Sequence, residues 1–93
     1  MKVDIDRIEK IYGDGIIISI RDNLDDIIEN IKYLHKKGFN NIYELLELNP
    51  HSFVESNDIF IEKVDNLITS LGVEYIEKIN EDITLWSIDE QEI

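Results

Sequence analysis

The chain contains no cysteine and no alanine, a single proline and only four glycines. Without cysteine there can be no disulfide, no thiolate zinc site and no thiol nucleophile. With so little proline and glycine, no stretch has the composition of a linker or a low-complexity tract, and no internal repeat is found. Long apolar runs are missing as well. None exceeds the three residues of Ile16-Ile17-Ile18, far short of the roughly 20 that a membrane helix needs. The residues after Met1, Lys2-Val3-Asp4-Ile5-Asp6, lack the apolar core of a secretory signal. These absences lead to the expectation of a cytoplasmic protein without a membrane partner.

Positive charge is scarce: nine Lys and Arg stand against 21 Asp and Glu, a net charge of −12. The imbalance is uneven. Residues 1–39 hold eight acids against seven bases, net −1, while residues 40–93 hold thirteen acids against two bases, Lys63 and Lys78, net −11. A field of that sign repels nucleic-acid backbones and anionic membranes and attracts basic surfaces, most strongly at low salt.

What the chain does have is enough apolar material to fold, 43% of its residues against 32% charged. At 93 residues it is the size of one domain, and two halves would each be too small to bury a core. We therefore expect a single domain over residues 1–93, frayed at 89–93. The isoleucine-rich, alanine-free composition has the bias of an AT-rich coding sequence.

Periodicity supplies the elements. Val3, Ile5, Ile8 and Ile11 fit a short helix, but Gly13-Asp14-Gly15 between Glu9 to Tyr12 and the β-branched run Ile16 to Ile20 favours a hairpin. Asn23 with Asp26 has the spacing of a capping box. Leu24, Ile27, Ile28, Ile31 and Leu34 then form one helical stripe that ends at Gly38. Asn41 and Glu44 repeat the capping pattern before Ile42, Leu45 and Leu46, and Pro50 begins one more short turn with Phe53 inward. Ser56-Asn57-Asp58 opens a longer helix through Phe60, Val64, Leu67 and Leu71, closed by Gly72, and a further helix contains Tyr75, Ile76 and Ile79. The segment Ile83 to Ile88 has the composition of a strand, and residues 16–20 are its best partner. The expected fold is α+β with a helical majority: about four helices and a small sheet pairing 16–20 with 83–88.

Little in the chain points to catalysis. Only His35 and His51 could serve as bases, and neither lies in a catalytic motif; the adjacency of His51 and Ser52 brings no two side chains together on a helix. Two histidines without cysteine do not make a zinc site, and Asp22 to Asp26 lacks the spacing and glycine of a calcium loop. Pairs such as Asp4/Asp6, Asp25/Asp26 and Glu81/Asp82 are expected by number alone among 21 acids, and Gly13-Asp14-Gly15 is too short to cradle phosphate. We expect no enzymatic activity, no cofactor and no metal.

The run from Leu34 to Leu48, a helix ending in Lys36-Lys37-Gly38, then Phe39, then Ile42-Tyr43-Glu44-Leu45-Leu46-Glu47-Leu48, resembles the opening of helix-hairpin-helix-type domains, the C-terminal domain of the bacterial RNA polymerase α subunit among them. With Phe53 and the helix to Leu71 and Gly72, the resemblance covers residues 24–72. It implies a helical arrangement there. It carries no functional residue across: the family presents phosphate-binding amides from a glycine-containing hairpin, and Val54-Glu55-Ser56-Asn57-Asp58 has no glycine and two acids.

The functional expectation is thus a small acidic protein-binding module, an accessory protein or inhibitor whose second half meets a basic partner. In its extreme form it would mimic nucleic acid in the groove of a nucleic-acid-handling protein. Candidate interaction residues are Glu44, Glu47, Glu62, Asp65, Glu74 and Glu77. The alternative is a nucleic-acid-binding module using the basic helix end from Lys32 through Lys36 and Lys37 to Gly38.

Overall fold

In the computed structural model, which describes residues 4–86, helix formation is governed by where isoleucine, leucine and phenylalanine can be buried together. The order is α1 (Ile5–Tyr12), α2 (Asp14–Asp22), α3 (Leu24–Lys37), α4 (Ile42–Leu48), α5 (Pro50–Phe53), α6 (Asn57–Leu71) and α7 (Glu74–Glu81), followed by a 3-10 turn at Ile83–Leu85. Among the described residues there is no strand. The expected α+β fold with a sheet between 16–20 and 83–88 is therefore wrong, and the protein is helical.

The first error lies at the start. Gly13 takes φ 89°, as a turn requires, but Gly15 does not, and it enters α2 as an ordinary helical residue. Asp4 caps α1 by accepting the Arg7 N–H at 3.0 Å, and the chain breaks once at Gly13 and resumes as helix. Isoleucine is disfavoured in a helix by only a few tenths of a kcal/mol. Burying one fully is worth about 1.5 to 3 kcal/mol. Ile16 and Ile20, four residues apart on one face of α2, are both buried beside Ile8 of α1, so packing overrides propensity.

The second error is at the other end. Ile83 to Leu85 makes a 3-10 turn in which the Asp82 carboxylate accepts the Thr84 N–H at 3.0 Å, and residues 87 and 88 of the expected strand lie outside the described residues, as does the expected fraying at 89–93. Burial of Trp86 does not need a strand. Its indole stands edge-on to Phe39 at 5.8 Å and tilted against Phe53 at 6.3 Å, and its N–H donates to Ser52 Oγ at 3.5 Å.

The two longest helices, α3 and α6, lie side by side and run in the same direction. Asp26 and Asn30 of α3 meet Asn57 at the start of α6, and one to two turns further along Tyr33 and Lys37 meet Asp65. The return between them is made by α4 and α5. Ile27, Leu34, Phe53, Phe60, Val64 and Leu67 fill the space and belong to one core cluster that extends from Ile8 to Trp86. The expected α3 stripe is rotated slightly from its sequence pattern: Leu24 and Ile28 are exposed at its edge, while Asn30 is fully buried.

Capping also departs from the sequence pattern. Asn23 does not cap α3 with its side chain but donates back to Ser19 O at 2.8 Å, and Asp26 turns away to accept the Asn57 N–H at 3.2 Å, the first amide of α6. Asn41, at φ 47°, likewise donates its side-chain amide to Asn80 O at 3.3 Å. Gly38 closes α3 in the left-handed region at φ 101°, as expected.

Candidate functional site

The basic end of α3, with Lys32, Lys36 and Lys37, is the densest positive charge in the sequence. Its turn is locked from inside. The Gly38 N–H donates to His35 O and the Phe39 N–H to Leu34 O, both at 3.1 Å, and the Asn40 N–H donates to Asn80 Oδ1 of α7 at 2.6 Å. Asn80 also donates from Nδ2 to Gly38 O at 3.1 Å. All three successive amides of the turn are thus occupied by the chain itself. Of the lysines, Lys32 pairs with Glu29 at 3.4 Å, and Lys37 lies 4.0 Å from Asp65 and 5.4 Å from the centre of the Tyr33 ring. Lys36 is exposed.

The N-terminus of α6, where the helix-hairpin-helix resemblance would put phosphate contacts, is occupied in a similar way. Asp26 places a carboxylate on the Asn57 amide, and Asn30 braces the loop behind it: its Nδ2 donates to Phe53 O at 3.0 Å and to Glu55 O at 3.1 Å, and its Oδ1 accepts from Asn57 Nδ2 at 3.0 Å. A fully buried asparagine with donor and acceptor both satisfied is a structural fastening. A phosphate approaching here would meet a carboxylate at the first amide.

The candidate acids sit on three helices. Glu44 and Glu47 lie on α4, Glu62 and Asp65 on α6, Glu74 and Glu77 on α7; Glu47 is half-buried and the others are exposed. Asp65 differs from the rest because it is already engaged. It accepts a hydrogen bond from the Tyr33 hydroxyl and lies beside Lys37, forming a polar clasp between α3 and α6. Partial burial, then the hydrogen bond to Asp65 and its negative charge, push the Tyr33 hydroxyl well above the usual phenol range. Asp82, held by the Thr84 hydroxyl and backbone N–H, titrates below the usual carboxylate range.

Two grooves flank α4. The larger, about 480 Å³, has apolar walls of Ile31, Phe39, Ile42 and Tyr43, with Lys32, His35, Asn40, Asn41 and Glu44 at its edges. The smaller, about 210 Å³, is walled by Ile11, Tyr12, Leu48 and Ile83, with Arg7, Glu44 and Glu47 around it. Glu44 belongs to both. Tyr12 fixes the second groove by donating its hydroxyl to Leu48 O, and its ring meets His51 edge-on at 5.8 Å. These grooves have no signature in the sequence, since their walls come from α1, α3, α4 and the final 3-10 turn.

His35 and His51 are separated in the structure, one at the rim of the larger groove and one against Tyr12. Among the described residues no group of three His, Cys, Asp or Glu side chains is placed to hold a metal ion, and no helix is long and apolar enough to cross a membrane. No protein-family model, no curated protein and no solved structure matches the chain.

Proposed function

We propose that the chain is a small, acidic, non-enzymatic protein-binding module of the cytoplasm, an accessory protein or inhibitor that engages a basic surface on a nucleic-acid-handling partner. The observation that carries this reading is the internal use of the lysine-rich turn at Gly38: Asn80 takes the Asn40 amide and the Gly38 carbonyl, and Asp65 and Glu29 sit against two of the three lysines. What remains outward on the second half of the chain is mostly negative, on α4, α6 and α7. Exposed charge of one sign accelerates encounter with an oppositely charged partner more than it strengthens the final complex.

Stopped-flow association with the basic protein captured from the source extract tests the reading. The association rate should fall steeply as salt rises, and Glu74→Lys with Glu77→Lys should slow it while leaving dissociation nearly unchanged. Duplex or single-stranded DNA should bind weakly even at low salt. A salt-independent association rate, or tight DNA binding lost with Lys36→Glu, would overturn it.

A further inference from the structure

Around the axis of α4 the outward side chains follow in the order Tyr43, Glu47, Glu44, Leu48, given the helical rotation of about 100° per residue. Two acids therefore separate an aromatic edge, which forms a wall of the 480 Å³ groove, from an aliphatic edge, which forms a wall of the 210 Å³ groove. Tyr43 and Leu48 remain 39% and 40% exposed, and Ile11 across the smaller groove is 58% exposed. Apolar clefts on both sides of an acidic ridge are unlike the scattered single apolar residues of an ordinary surface. Of the cations lining the grooves, Lys32 in the larger is already paired with Glu29, and Arg7 lines the smaller with Glu44 and Glu47.

We infer that this face is a docking site for a basic amphipathic helix of a partner protein, with one apolar side chain in each groove and a lysine or arginine between them against Glu44 and Glu47. The inference rests on the acidic-module reading and deepens it by naming the surface and the partner's form. Charge complementarity selects the occupant. A second copy of this chain would bring net −12 against the ridge, and a purely apolar ligand would offer nothing to the second of two carboxylates that share a single arginine, Arg7, in the smaller groove. A helix laid in a groove through anchors three, four or seven residues apart, with basic residues interspersed, satisfies both the walls and the ridge.

Panning a displayed library of random 16-residue peptides on the full chain, followed by isotopic labelling and chemical-shift mapping with the enriched peptides, tests this. The enriched peptides should combine helically spaced apolar anchors with interposed Lys or Arg, and should shift Ile11, Tyr43, Glu44 and Leu48. Their affinity should drop about tenfold with Glu44→Lys plus Glu47→Lys and by less than about twofold with Glu74→Lys plus Glu77→Lys. Tyr43→Ser, at an exposed position, should weaken them without unfolding the chain. Equal losses from both charge reversals would overturn the α4 site while leaving the acidic module standing. Enriched peptides without basic residues, unaffected by either reversal, would overturn both. Concentration-dependent shifts at the same residues without any peptide would overturn the inference in favour of self-association.

Discussion

Asn57 closes a hydrogen-bonded pair with Asn30, 27 positions earlier in the chain, at 3.0 Å, with Asn30 completely shielded from solvent. This contact fixes where α6 begins relative to α3, because Asn30 also receives the carbonyls of Phe53 and Glu55 on its amide. Asn30→Ala removes the donor and strands two acceptors. The expected loss is about 2 to 3 kcal/mol, read as a shift of the urea midpoint with the slope unchanged. Asn30→Leu should cost at least as much despite its greater hydrophobicity, and a stabilising effect would show that the pair contributes no specific fastening.

Asp25 and Asp26 are neighbours in sequence with different work. Asp25 is exposed in the first turn of α3, while Asp26 holds the first amide of α6. Asp25→Asn should change stability by less than about 0.5 kcal/mol. Asp26→Ala should cost about 1.5 to 3 kcal/mol, since it removes a hydrogen bond to a charged acceptor. Equal effects in thermal or chemical denaturation would refute the distinction.

Tyr33 gives the stability a dependence on alkaline pH. Its folded-state pKa lies above the value of about 10 expected in an unfolded chain. The protonated phenol is therefore favoured by folding. Its contribution is complete below about pH 10 and is lost as pH rises through the folded-state pKa. Ultraviolet titration should show one tyrosinate forming late, with native circular dichroism failing over the same interval. Tyr33→Phe should remove the late step and flatten that part of the stability profile. A late step that persists in the variant would assign it elsewhere.

The glycines separate into two kinds. A Cβ at Gly15 meets nothing within 4 Å and the backbone there is helical, so Gly15→Ala should stabilise by about 0.4 to 1 kcal/mol through the unfolded chain. At Gly38 the nearest atom to a new Cβ is Ile76 Cγ2 at 3.8 Å, an ordinary contact, but φ is 101°. Gly38→Ala should therefore destabilise by about 1 to 2 kcal/mol from backbone strain alone. Melting temperatures moving in opposite directions would bear this out; a gain at Gly38 would contradict it.

Much of the chain between residues 24 and 81 was legible in advance, because there the apolar spacing, a terminating glycine and the lone proline agree on the same helices. Gly38, Pro50 and Gly72 stand where stop and restart signals placed them. The opening was ambiguous for a physical reason. Ile16, Ile18 and Ile20 alternate as in a strand, while Ile16 and Ile20 also share a helical face, and only their burial in the common core with Ile8 decides between them. The polar contacts were invisible for a different reason. Asn30, Asn80 and Asp26 have the look of surface or capping residues, and each finds its partners at least 23 positions away. Negative charge on the second half was plain from the sequence. Its distribution over α4, α6 and α7, and the enlistment of Asp65 by Tyr33 and Lys37, required the fold.

The parallel course of α3 and α6 has a consequence for how the molecule assembles. Two helices that run the same way cannot form by simple hairpin closure; the chain must travel back between them, and the returning segment is α4 with α5. Contacts such as Tyr33 with Asp65 close a loop of 32 positions, an entropic cost met only when the core around the return is in place. The ridge of Tyr43, Glu44, Glu47 and Leu48 is thus absent from any early intermediate built from α1 to α3. A macromolecule that recognises that ridge discriminates between finished and unfinished chains, and its binding raises the stability of the whole molecule by mass action, drawing nascent chains toward the native state.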